Sequence, residues 1–488
     1  MHPRRLPNSP RLLGRFLCTG LALGFLAGCV TYEPKPFVPT DTAAAFDQRS
    51  LQSPALRAFI EKQLGQELKV WPPHREPPGW TLPLLTLAAY YYHPSLEVAR
   101  ANWAEAQAAV VTAGGRPNPT LTLSPGYNFN AASGVTPWMR GVAFDLPLET
   151  MGKRALRVLR AQQSAEAVRW QLSAAAWQVR AGVRDALINY NDAAKRFQLL
   201  YQQHQLHEQW LQRLQERAAA GALSRAELMP TRIALEKLRL ELTEQNRGQT
   251  QLKARLAEAV GVPLGGLVIG TGAAWSFPQS SRLATIEARQ RALTRRADIA
   301  ALLAEYAAAQ AALRLEIAKQ YPDVHLGSGF QWDQGESKWT FLNVSAELPL
   351  LNRNQGPIAE AQARRASAAA RVEAAQAKAV AEIDAALAAH NAALDRLNSL
   401  DQLLAQQKRQ AESIEAQVRA GALDVVDRLG AQLELAQFEL LRWDASVKAT
   451  QAVARLEDAL QTPVDSNHSA IAPGKLVETN PRAAKEKP

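Results

Sequence analysis

Apolar residues recur at steps of three and four along two very long stretches, about 152–219 and 356–420. In the first, Val168, Leu172, Ala176, Val179, Val183, Leu187, Tyr190, Ala194 and Phe197 fall on one helical stripe. No proline interrupts either stretch after Pro357, so each predicts one amphipathic helix of coiled-coil length, about 100 Å at about 1.5 Å per residue. A helix that long needs neighbours along its whole length. Shorter helical stretches supply them: 94–115 with 224–260 in one half, and 297–319 with the residues after Gly421 in the other. Stacked end to end, each pair nearly matches its long helix.

Between the short and long helices the period changes to two. In 120–130, Leu121, Leu123, Tyr127 and Phe129 alternate with Thr120, Thr122, Ser124, Gly126 and Asn128; in 324–332, Val324, Leu326, Phe330 and Trp332 alternate with His325, Gly327, Gly329 and Gln331. Their partners, 137–148 and 338–350, alternate less cleanly, because Arg140 occupies the apolar parity of one while Trp339 and Phe341 break the other. Strands of about 10 residues with one polar and one apolar face fit a membrane-spanning β-barrel. Four strands cannot close a barrel and leave unsatisfied edges in hydrocarbon. Two chains give eight strands with a filled lumen, whereas three give twelve and room for a channel.

The chain is written twice. Ala220-Gly221-Ala222-Leu223 recurs as Ala420-Gly421-Ala422-Leu423, and Asp145-Leu146-Pro147-Leu148 as Glu347-Leu348-Pro349-Leu350. Leu96, Trp103 and Gln107 return as Ile299, Tyr306 and Gln310, and Pro119 returns as Pro322. A period of about 200 residues is too long for a solenoid unit and indicates duplication of a half-protein. The expected divisions are 1–28, 29–83, a first repeat at 84–262, a connecting segment at 263–296, a second repeat at 297–462 and a polar tail at 463–488.

Composition narrows the class. The 488 residues are 47% hydrophobic and their mean hydropathy is -0.22, which excludes both a disordered chain and a polytopic helical transporter. The only cysteines, Cys18 and Cys29, lie near the start, so a disulfide framework or thiolate metal cage is excluded. Arg4, Arg5, Arg11 and Arg15 lead into the apolar run Phe16 to Ala27, which is shorter than the about 20 residues a bilayer needs and reads as a signal peptide, residues 1–28. The run ends Leu26-Ala27-Gly28-Cys29, which resembles a lipoprotein processing site with Cys29 as the acylated (palmitate-bearing) residue. Val30 in place of Asp directs such lipoproteins to the outer membrane. Losing the four arginines lowers the formal charge of +10 to +6, a mild excess that gives no case for nucleic acid. The prolines of 31–83 disfavour regular helix and predict an extended strap.

In combination these features resemble the TolC family of outer-membrane factors over nearly the whole mature chain. The carriers are the duplicated strand-strand-long-helix unit, the two Gly-Ala-Leu breaks, Leu-Glu-Thr-Met-Gly-Lys-Arg at 148–154 and Leu-Asn-Arg-Asn-Gln-Gly-Pro-Ile at 351–358. The resemblance implies a mostly α fold with a small β part: an α-barrel of long coiled helices plus four transmembrane strands per chain, closing a twelve-stranded barrel as a homotrimer. It implies a passive duct of a tripartite efflux system, lipid-anchored in the outer membrane with a periplasmic extension, docked to a periplasmic adaptor and an inner-membrane pump. The wording at 152–154 and 352–356 looks most like heavy-metal (cobalt-zinc-cadmium type) efflux components. A periplasmic coiled-coil scaffold lipoprotein and the duct of a type I protein secretion system are the alternatives. Substrate identity is not written in the chain, because in such systems the pump selects.

The candidate sites follow from this arrangement. Gly221, Ala222, Leu223, Gly421, Ala422 and Leu423 sit where each long helix reverses, and are expected to form periplasmic tips that contact the adaptor. Asp427 matches an acidic position that rings the periplasmic end of the tunnel in gated family members, so the resemblance makes it, with its repeat counterpart Glu227, a gate candidate, and three carboxylates around an axis would attract cations. Ser224 and Asp424 have capping-box form, which is the simpler explanation for the acids three residues on. Pro230 and Gly430 are expected to weaken the returning helices. His204, His207 and Glu208 have metal-ligand spacing but read as a solvated helix face. Gly327-Ser328-Gly329 is not a nucleophile elbow, and Gly270-Thr271-Gly272 lacks the third glycine of a nucleotide site. No catalytic constellation, cofactor or metal site is expected.

Overall fold

A computed structural model describes residues 31–73, 79–269 and 286–463. The expected signal peptide, Cys29, the Gly270-Thr271-Gly272 run and the tail from 464 lie outside the described residues. Residues up to Gln48 form a unit of their own, in which helix α1 (Pro39–Asp47) buries nothing. The second unit begins at Arg49 with α2 (Pro54–Leu64). The extended strap expected for 31–83 is therefore corrected. Pro39 and Pro54 each open a helix, where a missing N–H is no loss and a fixed φ is pre-organised.

Helix α3 (Leu82–Tyr92) escaped the periodicity because it is apolar all round, and it is buried from Leu85 to Tyr92. Helix α4 (Pro94–Ala113), strands β1 (Thr120–Tyr127) and β2 (Trp138–Leu148), the long helix α5 (Lys153–Ala219) and α6 (Met229–Val260) complete the first repeat. The second repeats the order with α7 (Ile286–Arg295), α8 (Ala297–Ala318), β3 (Val324–Asp333), β4 (Glu336–Ala346), α9 (Gln355–Arg419) and α10 (Val425–Leu460). Among the described residues no helix is long and apolar enough to cross a membrane.

The helices pair as length matching predicted: α5 lies against α4 and α6, and α9 against α8 and α10. Where α6 ends and α4 begins, the two abut. Gly261 adopts φ +84°, and a Cβ there would lie 2.8 Å from the His93 Cα, so the site admits only glycine without displacement. Arg49 Nη1 donates to the carbonyls of Tyr92 (2.9 Å) and Gly261 (3.2 Å), closing the C-terminal ends of α3 and α6. The second repeat joins α10 to α8 by side chains instead. Gln461 Oε1 accepts from the Ala297 amide at 2.7 Å, and Arg296 Nη1 donates to the Ala459 carbonyl at 2.9 Å.

The two repeats also meet: α5 packs on α8 and α10. The α5–α10 seam is charged, and Arg180, Arg184 and Glu457 within it are buried. Arg180 and Arg184 of α5 face Glu457 and Asp458 of α10, with Arg184 Nη2 2.6 Å from Asp458 Oδ2 and both arginines 3.2 Å from Glu457 Oε2. Burial opposes the Arg184 charge, but the hydrogen bond and charge of Asp458, aided by Asp185 and Glu457, outweigh it and raise its pKa. Further along the seam Trp443 Nε1 donates to Asp192 at 2.8 Å, and Arg196 pairs with Asp444. Each group on one repeat is answered on the other, which fixes the register between them.

Replacing Arg184 by Met should lower the thermal midpoint of the purified protein, by an amount corresponding to ~2 kcal/mol, because buried Glu457 loses one of its two arginines and half-exposed Asp458 keeps only Trp177. An unchanged midpoint would mean the seam is not a stabilising contact.

Candidate functional site

Two regions at opposite ends of the long helices carry the exposed chemistry. The first is the sheet, an antiparallel array in the order β1-β2-β3-β4. Cross-strand pairing places Leu121 with Phe144, Leu123 with Val142 and Tyr127 with Trp138, then Val142 with Phe330 and Leu146 with Leu326. These residues share one face, which is apolar and open: Leu121 is 66% exposed and Trp339 65%. The other face carries Thr120, Asp145, Gly327 and Asn343 in one row and Ser124, Gly141, Gln331 and Lys338 in another. A trough of about 630 Å³ lies over the sheet, lined mostly by residues of this polar face, including Ser124, Gln331, Lys338 and Thr340. On the same face His325 Nδ1 lies 2.9 Å from Asp145 Oδ2.

Both breaks in the alternation have structural causes. Thr340 pairs with Gly329 and Asn343 with Gly327, so Phe341 and Leu342 together oppose Ser328. This β-bulge inserts one residue and restores parity, so that Trp339 opposite Phe330 and Val344 opposite Leu326 lie on the same apolar face. Arg140 sits opposite Trp332, with its guanidinium 5.7 Å from the ring centroid, a cation–π contact on the apolar face.

The motif at 148–154 forms the joint between sheet and helix. Thr150 donates its amide to Asp323 Oδ1 (2.9 Å) and its hydroxyl to the Pro322 carbonyl (2.6 Å). Lys153 Nζ reaches the Tyr321 carbonyl (2.6 Å) and Asp323 Oδ1 (2.7 Å), and Arg154 Nε the Gly114 carbonyl (2.6 Å). Lys153 is thus a clamp between the start of α5 and the start of β3 in the other repeat. In the second motif Asn354 Nδ2 binds the Glu316 carbonyl at 2.7 Å, holding the start of α9 to the end of α8.

The second region is the tip, some 100 Å away along α5. Gly221 and Gly421 take φ +76° and +78°. Ala222 donates to the Arg217 carbonyl and Ala422 to the Gln417 carbonyl, both at 2.9 Å, the six-to-one bond of a Schellman motif. Ala222 and Ala422 are exposed, Leu223 and Leu423 half-buried. Ser224 with Glu227 and Asp424 with Asp427 form complete capping boxes. The carboxylates of Glu227 and Asp427 therefore bind their own backbone, accepting from the amides of Ser224 (2.9 Å) and Asp424 (3.1 Å). One link was not legible in the sequence: Arg217 of the first tip ion-pairs with Asp424 of the second, so the two tips lie side by side.

Two expectations are corrected. Pro230 lies in the first turn of α6, after a 3₁₀ turn at Arg225–Leu228, and Gly430 lies within an unbroken α10. The proline starts its helix instead of weakening it. His207 is not on a solvated face; it is buried beside Trp210, its Nδ1 without a hydrogen bond. Burial, and to a lesser extent the His204 ring, push its pKa down. His204 turns instead toward Glu208 and Arg239. Among the described residues no cluster of three metal-ligating side chains occurs.

Comparison with known proteins places this geometry. The outer membrane protein VceC of Vibrio cholerae matches with a TM-score of 0.63 at 20% identity over 79% of this chain and 97% of that one. The MtrE outer membrane channel of Neisseria gonorrhoeae matches at 0.63 and 18% over 79% and 89%. The fold is therefore that of outer-membrane channels. Residues 89–262 and 288–461 match the outer membrane efflux protein family, one block for each repeat, and the chain belongs to that family. The cobalt-zinc-cadmium resistance protein CzcC of Cupriavidus metallidurans is 26% identical over 218 residues. That alignment covers 44% of this chain and 51% of CzcC, so the chain spans about half the length of this curated relative.

Asp424→Ala should speed amide hydrogen exchange at 424–428 while leaving the global melting temperature nearly unchanged, since a lost cap costs about 1 kcal/mol and acts locally. Unaltered exchange at the second tip would show that neither the cap nor the Arg217 pair holds it.

Proposed function

We propose that this chain is the outer-membrane duct of a tripartite efflux system, a passive homotrimer that spans the outer membrane and extends through the periplasm. One observation carries the reading: sheet and helical layer are open at the same two margins. Strands β1 and β4 each have one unpaired edge; the helical row likewise begins with α4 and α6 and ends with α9. Copies of the chain satisfy both margins at once, β4 beside β1 and α9 beside α4 and α6. Three copies give a twelve-stranded barrel with the polar face and its trough inward. A scaffold protein has no use for an open apolar sheet face.

In this reading Cys29 is acylated and anchors the chain, and the Gly221 and Gly421 tips meet the adaptor, with Ala222, Leu223, Ala422 and Leu423 offering small apolar contacts. Asp427 and Glu227 place acids around the tunnel mouth. The name of the relative CzcC supports heavy-metal cations as the substrate class, with the pump selecting among them. A type I secretion duct is the second reading; efflux is preferred because the matching family is one of outer membrane efflux proteins.

Purified in detergent, the protein should have the mass of three chains, open ion-conducting channels in planar bilayers and carry acyl mass on Cys29 by mass spectrometry. A one- or two-chain mass without conductance would remove the duct reading, and an unmodified N-terminus the anchor.

Bulky replacements at both Gly221 and Gly421 should weaken cross-linking to the adaptor without dispersing the trimer. In the same channels Asp427→Asn keeps an acceptor for the cap but removes the charge, and should reduce cation preference and block by multivalent cations. Persistence of cross-linking, or of selectivity, would return the corresponding residues to purely structural roles.

A further inference from the structure

Arg140 is the one charged side chain among the described residues of the apolar face of β1–β3. Its strand position fixes its depth. The start of β2 is the end remote from the helices, because α5 follows the other end of β2. Arg140 lies two residues in from Trp138, about 7 Å along the strand. Around that remote end the aromatic rings cluster: Tyr127 lies 5.1 Å from both Phe129 and Trp138, centroid to centroid, and Trp332 sits under Arg140. Phe129 is 90% exposed, as suits the aromatic belt where hydrocarbon gives way to headgroups.

A guanidinium cannot shed its proton. Facing lipid it is costly unless it reaches the interface and meets an anion. The described residues supply none: Arg140 is exposed, and no carboxylate among them forms an ion pair with it. Its contact is the Trp332 ring, which supports the flat cation while the N–H donors around its rim stay available for an oxyanion. That donor fork matches the paired oxygens of a phosphate.

Resting on the membrane-spanning reading of the sheet, we propose that Arg140, seated on Trp332 within the Tyr127–Trp138 aromatic cluster, binds the phosphate of an anionic lipid headgroup at the outer rim of the barrel. Three symmetry-related sites would ring the channel and set its height in the bilayer. By strand parity Arg140 belongs to the face opposite Ser124, Gly141 and Gln331, although its position also borders the trough.

The test compares wild type with Arg140→Gln, each reconstituted into phosphatidylcholine vesicles alone or doped with phosphatidylglycerol, with phosphorylated lipid A or with dephosphorylated lipid A. Conductance scores insertion, and native mass spectrometry counts the lipid retained per trimer. Wild type should retain anionic lipid, phosphatidylglycerol or phosphorylated lipid A, about fivefold more than Arg140→Gln, with retention of zwitterionic phosphatidylcholine and conductance equal. Preference between phosphatidylglycerol and phosphorylated lipid A tells which lipid supplies the phosphate. Equal retention of anionic lipid by the two proteins overturns the proposal while leaving the duct intact, as does wild-type retention of both phosphatidylglycerol and phosphorylated lipid A no greater than that of phosphatidylcholine and dephosphorylated lipid A. Should Arg140→Gln fail to insert, that wild-type comparison of anionic with non-anionic lipids still decides. Failure of wild type to insert into any vesicle removes the membrane reading and this site with it.

Discussion

A helix of about 100 Å cannot stand alone, and covering α5 from end to end is the constraint from which the rest of the architecture follows. No single partner matches it. On one side α4 and α6 divide the length, on the other α8 and α10, so two helix ends must meet partway along each side. At the first meeting point backbone touches backbone and Gly261 is required. At the second, Gln461 and Arg296 make the joint with side chains. The duplicated gene thus solves one packing problem twice by different local chemistry.

Covering α5 on both sides also forces the repeats together, and the seam they share is polar where a simple core would be apolar. Apolar helix faces tolerate sliding by a turn, because one methyl surface resembles the next. The pairing of Arg180 and Arg184 with Glu457 and Asp458, and of Asp192 with Trp443, has one satisfied alignment. The Lys153 clamp onto Asp323 sets the same register at the sheet. A shift by one turn would strand buried charges at one end and pull β3 out of line with β2 at the other.

That register gives the open margins their meaning. Because α5 and α9 each run unbroken from sheet to tip, the free edge at β1 lies above the free face of α4 and α6, and that of β4 above α9. Closure by further copies therefore satisfies hydrogen bonds in the sheet and apolar area in the helices through one operation. The polar trough and the open apolar face are consequences of the same alternation, with the bulge at Phe341–Leu342 keeping β4 in phase.

Much of this was legible in the sequence. Period 3.6 over 152–219 and 356–420, period two over the strand segments, the repeat offset and the Gly-Ala-Leu breaks depend on neighbours in the chain, and local periodicity reports them directly. The capping boxes at Ser224 and Asp424 are equally local. What depended on residues far apart was not readable. Helix α3 hid in an apolar run whose burial on all sides erases its period. Arg140, Trp339 and Phe341 looked like errors in a strand until the cross-strand partners Trp332 and Phe330 and the bulge accounted for them. His207 sits on a helix that looks polar locally, yet the fold buries it. The Arg217–Asp424 link and the α5–α10 seam join residues more than 200 positions apart, and such pairs carry no period, because opposite charges are chosen by the packing of helices and not by their spacing along the chain.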